Sequence, residues 1–232
     1  MGLDVYVMPI WRFKAGDFAT ALEGWGMLPT IRVTPGGMFQ RDSDKPPGIF
    51  TRWKAKRARR CLQREIEAEI GHPVSWNDDG DVAYTQQSGG FESLRAFAKW
   101  LDYRDMLPTF DLPPKGNYYN HPVVSAEPPR PLTYPQIVEH SCYSGYYIPT
   151  DLERIVYVEP YSSWGGVMFK HSVGSSIRLL KELGQLSGVL GITTEYEWQE
   201  TDPLNEVKAS FAQLYEVAKI SVATNLPIVF YG

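Results

Sequence analysis

Leu3, Val5 and Val7 alternate with Asp4, Tyr6 and Met8, the period-two pattern of a strand with one face against a core. Near the other end, Pro227-Ile228-Val229-Phe230-Tyr231 is a short apolar, β-branched run following a helical pattern. Both ends are therefore predicted to contribute strands, and one shared sheet would close the fold.

Four stretches carry the helical period. Trp53 to Ile70 sets Ala55, Ala58, Leu62 and Ile66 along one side, with Gly71 as a stop. Phe91 to Tyr103 does the same with Phe91, Leu94, Ala98 and Leu101, widened by Phe97 and Trp100. Ser175 to Leu186 carries Ile177, Leu180 and Leu183. Pro203 to Val222 has the longest stripe, through Leu204, Val207, Phe211, Leu214, Ala218 and Val222, with Asp202 placed to cap it and Pro203 suited to its first turn.

Proline and glycine punctuate the rest. Residues 34 to 50, with Thr34-Pro35-Gly36-Gly37 and Lys45-Pro46-Pro47-Gly48, read as a long exposed loop. Pro108 to Pro135 holds eight prolines, and Val123-Val124 is its one plausible strand. Strands at both ends and helices between, without a repeating strand-helix-strand rhythm, predict an α+β fold with a mixed or antiparallel sheet; α/β is the alternative. One domain over 1–232 is expected, with the Pro-rich region 108–135 as the boundary if there are two.

Composition adds exclusions. A net charge of -4 gives no overall electrostatic case for nucleic acid, and the two cysteines, Cys61 and Cys142, are too few for a disulfide framework or a cysteine-rich zinc site. Asp4 interrupts the opening apolar run where an export signal needs continuity, and no apolar run reaches the roughly 20 residues of a spanning helix. A cytoplasmic protein without a cofactor, a metal site or a membrane association is expected. The aromatic fraction of 13% is high and supplies either a ring-packed core or an aromatic contact surface.

Candidate chemistry gathers in His140-Ser141-Cys142-Tyr143-Ser144-Gly145-Tyr146-Tyr147-Ile148-Pro149-Thr150-Asp151. His140 and Cys142 would share a face of an extended chain, so the imidazole could activate the thiol, with Asp151 nearby. The same segment reads alternatively as a tight turn, with Gly145 at positive φ, presenting Tyr143, Ser144, Tyr146 and Tyr147 as contacts or bracing them on the core. Ser162-Ser163-Trp164-Gly165-Gly166 is a small-residue candidate. Ser175, Ser176 and Arg178 open a helix where an anion could bind, although Ser175 also suits a simple N-cap. A basic face is predicted on the first long helix: seven basic residues fall within 52–64, and Arg57, Arg60 and Arg64 surround Trp53 opposite the apolar stripe. Paired carboxylates occur at Asp78-Asp79-x-Asp81 and Glu195-x-Glu197, without a facing partner that would specify glycosidase chemistry.

The opening Met-Gly-Leu-Asp-Val-Tyr-Val, the Ser-Gly-Tyr-Tyr-Ile-Pro segment and Gly-Ser-Ser-Ile-Arg-Leu-Leu together resemble uncharacterised bacterial or phage-associated proteins that begin Met-Gly-Leu-Asp. The resemblance implies no activity. The residues themselves favour a non-catalytic interaction module of accessory or immunity type, meeting a protein partner through aromatic loops. A hydrolase or transferase around His140, Cys142 and Asp151 is the second reading, with a small-molecule ligand also open. Nucleic-acid binding through 52–64 is the third.

Overall fold

The computed structural model describes residues 3–18, 31–34, 37–40, 46–88, 91–107, 109–111, 121–127, 131–141, 143–162, 168–193 and 195–231. In chain order its elements are β1 (Leu3–Val7), α1 (Ile10–Ala15), β2 (Ile31–Thr34), β3 (Gly37–Gln40), α2 (Ile49–Ile70), β4 (Tyr84–Ser88) and α3 (Glu92–Tyr103). There follow α4 (Pro122–Ser125), α5 (Pro135–Glu139), β5 (Ser144–Ile148), β6 (Val156–Ser162), β7 (Met168–Ser175), α6 (Ser176–Leu190), α7 (Asn205–Thr224) and β8 (Ile228–Tyr231).

Six strands form one mixed sheet in the order β4-β1-β8-β5-β7-β6, while β2 and β3 form a separate antiparallel pair. The two ends of the chain are neighbours: β1 and β8 run antiparallel with Val5 opposite Phe230. Among the described residues only β5 and β7 pair in parallel, with Tyr146 opposite Val173. This is an α+β arrangement with both chain ends in one sheet, as the residue pattern predicts.

The sheet separates two cores. On one face Leu3, Val5, Val7, Tyr147, Ile228 and Phe230 pack against the apolar stripes of α3, α6 and α7. On the other, Tyr6, Met8, Tyr146, Ile148, Val173 and Val229 pack with Leu62 and Ile66 of α2 and Phe13 of α1. The strand period thus feeds two helix layers at once. β1 is consequently buried on both sides, with Tyr6 and Met8 as inaccessible as Val7, rather than half-exposed as the alternation implies. Each of Leu62 and Ile66, fully buried, contributes about 2–3 kcal/mol of transfer free energy.

Local chemistry sets the element ends. α2 begins at Ile49, a turn before the predicted Trp53, and stops at Gly71, which takes φ 78° and returns its N–H to the Glu67 carbonyl. Part of the predicted 34–50 loop is strand β3 and the start of α2; residues 35–36 and 41–45 lie outside the described set. Val123-Val124 is helical, not a strand, because Pro122 takes the first turn and His121 Nδ1 accepts the Val123 N–H at 3.1 Å. α6 extends past Leu186 to Leu190. α7 starts at Asn205 rather than Pro203, since Asp202 is used to hold the preceding turn, accepting the Leu204 N–H at 2.8 Å.

Candidate functional site

The segment that concentrates the predicted chemistry is interior. α5 ends at Glu139, and His140 leads into β5 with 2% exposure. Its Nδ1 lies 2.8 Å from the Ser141 carbonyl and its Nε2 3.0 Å from that of Tyr146. A neutral ring can donate to one of the two. Burial nonetheless drives its pKa down to about 4, against the pull of those carbonyls. The ring stacks on Tyr147, whose hydroxyl donates to the Gln136 carbonyl at 2.7 Å, and meets Phe230 edge-on.

Asp151 is exposed and ion-paired with Arg178, so it does not meet His140. Cys142 lies outside the described residues, as do Ser163, Trp164, Gly165 and Gly166 of the second candidate segment. Residues 143 to 147 are not a tyrosine-presenting turn: Ser144 already starts β5, and Tyr146 and Tyr147 are buried at 3% and 2%, one on each face of the sheet. Tyr143 alone of the three tyrosines is exposed. Gly145 does take a positive φ, 118°, but for packing: a Cβ there would fall on the backbone oxygen of Ser172 on β7.

The helix start at Ser175 is likewise internally satisfied. Ser175 Oγ accepts the Arg178 N–H at 3.1 Å as an N-cap, Ser176 bonds Ser221 across to α7, and Arg178 is the partner of Asp151. Both serines are fully buried, which closes this helix end to an anion.

On α2, Ala55, Leu62 and Ile66 are buried, while Trp53, Arg57, Arg60 and Arg64 are exposed. The Arg57 guanidinium lies 5.9 Å from the Trp53 ring centre. Ile49 and Phe50, 86% and 80% exposed, extend the same face by a turn.

An acidic counterpart lies across the sheet. Between Lys181 and Lys208 there is no basic residue, and Glu195, Glu197, Glu200, Asp202 and Glu206 crowd into twelve positions. Glu195, Glu197 and Glu200 are exposed and have no ion-pair partner among the described residues. Beside them Trp198 is 62% exposed, and Tyr196 is half-buried.

Asp202 and the buried Asn205 hold this segment in place. Asn205 Nδ2 donates to the carbonyls of Gln199 and Asp202, and its Oδ1 accepts the Gln199 N–H at 2.9 Å. The Tyr196 hydroxyl sits between Asn205 Oδ1 and Asp202 Oδ2. Lys208 Nζ donates to Asp202 Oδ2 at 2.7 Å, and that bond holds the carboxyl below its usual range. Glu92 and Glu206 lie in the first turns of α3 and α7, whose N-terminal dipoles favour carboxylates. Burial, with Glu206 adding to it, raises the Glu92 pKa. The sequence signal for this surface was the absence of Lys and Arg over 182–207; judged as a two-carboxylate motif, Glu195-x-Glu197 said nothing.

Among the described residues no helix is long and apolar enough to cross a membrane. No curated protein and no solved structure gives a significant match. A protein-family model described as "Putative DNA-mimic protein" matches residues 1–230. That match overturns the expectation of a generic accessory or immunity-type module, and with it both the hydrolase or transferase around His140, Cys142 and Asp151 and the nucleic-acid binder through 52–64. The buried, core-packed His140 and its separation from Asp151 agree with that correction.

Proposed function

The chain belongs to this DNA-mimic family, and from that premise we propose that it occupies the DNA site of a DNA-binding protein, offering carboxylates where the duplex would offer phosphates. The observation that carries the reading to particular residues is the exposed Glu195, Glu197 and Glu200, none of which has an ion-pair partner among the described residues. Exposure alternates through Glu195, Tyr196 and Glu197, so the two glutamates share a side. Two residues of extended chain span about 7 Å. Neighbouring phosphates of one strand rise about 3.4 Å along the axis while also winding round it, which lengthens their true separation.

The internal bonds of Asn205 and Asp202 support the reading because a mimic has to hold its charges in place before contact, or spend binding energy ordering them. Exposed carboxylates also steer a basic partner at long range. We propose the cytoplasm as the site of action, the compartment in which a decoy for DNA-binding proteins would meet them.

The test starts from the proteins of a cell extract retained on a duplex-DNA column. The immobilised chain is expected to capture one of them, duplex DNA is expected to release it, and affinity should fall steeply with salt. Changing Glu195, Glu197 and Glu200 together to glutamine should weaken capture by roughly tenfold or more. A captured protein that duplex DNA cannot displace would overturn the proposal.

A further inference from the structure

The outer face of α2 is the most conspicuous surface that DNA mimicry leaves unused. It presents Ile49, Phe50 and Trp53, all more than half exposed, followed by Arg57, Arg60 and Arg64 on the same side. α2 carries seven basic residues against three acidic ones, whereas the whole chain is acidic. A basic, apolar face cannot serve a partner whose DNA site is itself basic.

A symmetric pairing of this face with itself would gather the Arg57, Arg60 and Arg64 of both copies into one contact, which like charge disfavours. The occupant has to be acidic and partly apolar. That chemistry is present in the chain's own 195–200 segment, where Glu195, Glu197 and Glu200 flank the exposed Trp198. The two surfaces cannot meet within one molecule. α2 packs on the sheet face that holds Met8 and Ile148, whereas the 195–200 segment joins α6 to α7 on the face that holds Val5 and Phe230.

We infer that the outer face of α2 is a docking surface for a second copy of this chain, head to tail, with Glu195, Glu197 and Glu200 of one copy against Arg57, Arg60 and Arg64 of the next and Trp198 against Phe50 and Trp53. The contact is heterologous, so it propagates or closes a ring instead of stopping at two. It requires only the charge layout and stands whether or not the DNA-mimic reading holds. If that reading also holds, docking covers the acidic surface, and a DNA-binding protein competes with self-assembly.

Sedimentation equilibrium at low and high salt tests this. The full chain is expected to show an average mass that climbs beyond the dimer with concentration at low salt and returns to monomer at high salt. One variant combines Arg57→Gln with Arg60→Gln, and another combines Glu195→Gln, Glu197→Gln and Glu200→Gln. Each alone should associate roughly tenfold or more weakly. Mixed, they retain one intact pair of surfaces and should stop at a dimer. A chain that stays monomeric at low salt overturns the inference, as does association that neither variant weakens. If the monomeric chain instead sediments with anionic vesicles or an acidic peptide through α2, the occupant is wrong and the inference falls. The α2 variant should still capture a DNA-column protein, so loss of self-association and loss of mimicry are read separately.

Discussion

His140 and Tyr147 lie face to face, their ring centres 3.9 Å apart and their planes 16° from parallel. With Phe230 edge-on to both, the histidine is a core ring and not an exposed base. His140→Ala should cost about 3 kcal/mol at pH 7, measured by urea unfolding, from the lost contacts and the cavity. The folded pKa, about 4, lies below the unfolded value of 6.5, so this histidine's own contribution is full above pH 6.5 and fades as pH falls through 4. The penalty of the substitution should therefore be smaller at pH 4.5 than at pH 7. An equal penalty at both would show that the ring is charged in the native core.

Glu182 bears the opposite sign. Its carboxylate accepts the N–H groups of Gln136 and Ile137 at 3.0 and 3.1 Å at the start of α5, and burial raises its pKa from 4.5 to about 7 in spite of them. The folded state therefore holds this proton more tightly than the unfolded one. Its contribution is full below about pH 4.5 and is lost as pH rises through 7. The windows of Glu182 and His140 overlap and partly cancel. Glu182→Gln removes the falling limb, so the variant should lose stability on acidification from pH 6.5 to 4.5 more steeply than the parent chain. Identical slopes in urea titrations would remove Glu182 as a linked group.

Gly145→Ala should be among the most damaging single changes. φ is 118° there, and the added Cβ meets both the backbone oxygen and Oγ of Ser172 across the parallel β5–β7 pair. Strain and clash together should cost about 3 kcal/mol or more, seen as a fall in the urea midpoint. Gly184→Ala in α6, where a Cβ meets nothing within 4 Å, should be neutral or stabilising by up to about 1 kcal/mol and serves as the control.

These residues also mark what the chain reveals unaided. The helical stripes of α2, α3 and most of α7 and both terminal strands follow from local periodicity, because each element's own spacing selects its buried face, whereas the α6 stripe falls on Leu179, Leu183, Leu186 and Leu190 and leaves the expected Ile177 exposed, as Val222 is at the end of α7. Tyr146 and Tyr147 could not be read that way. Their burial on opposite faces requires β5 to lie between β7 and β8, a pairing between residues far apart in sequence. The helical Val123-Val124 depended on cap chemistry that outweighed propensity. The acidic surface was present in the composition of 182–207 but carries no motif, since mimicry depends on charge density and placement and not on a fixed spacing.

The final prediction separates the holding of the acidic segment from its charge. Asn205 is buried and spans Gln199 and Asp202, yet it touches none of Glu195, Glu197 and Glu200 through a described bond. Asn205→Ala leaves every carboxylate in place and leaves the Gln199 N–H without its acceptor. About 1–3 kcal/mol of stability should be lost. Hydrogen exchange should accelerate across 195–202, with the interiors of α6 and α7 still protected. Capture of the DNA-column protein should weaken several-fold with an unchanged salt slope, because the number of charges is the same and only their order is lost. The glutamate-to-glutamine triple variant should do the reverse, lowering the salt slope while leaving exchange across 195–202 unchanged. If Asn205→Ala instead leaves capture unchanged, the segment reaches its bound form without preorganisation, and the buried amide contributes to folding alone.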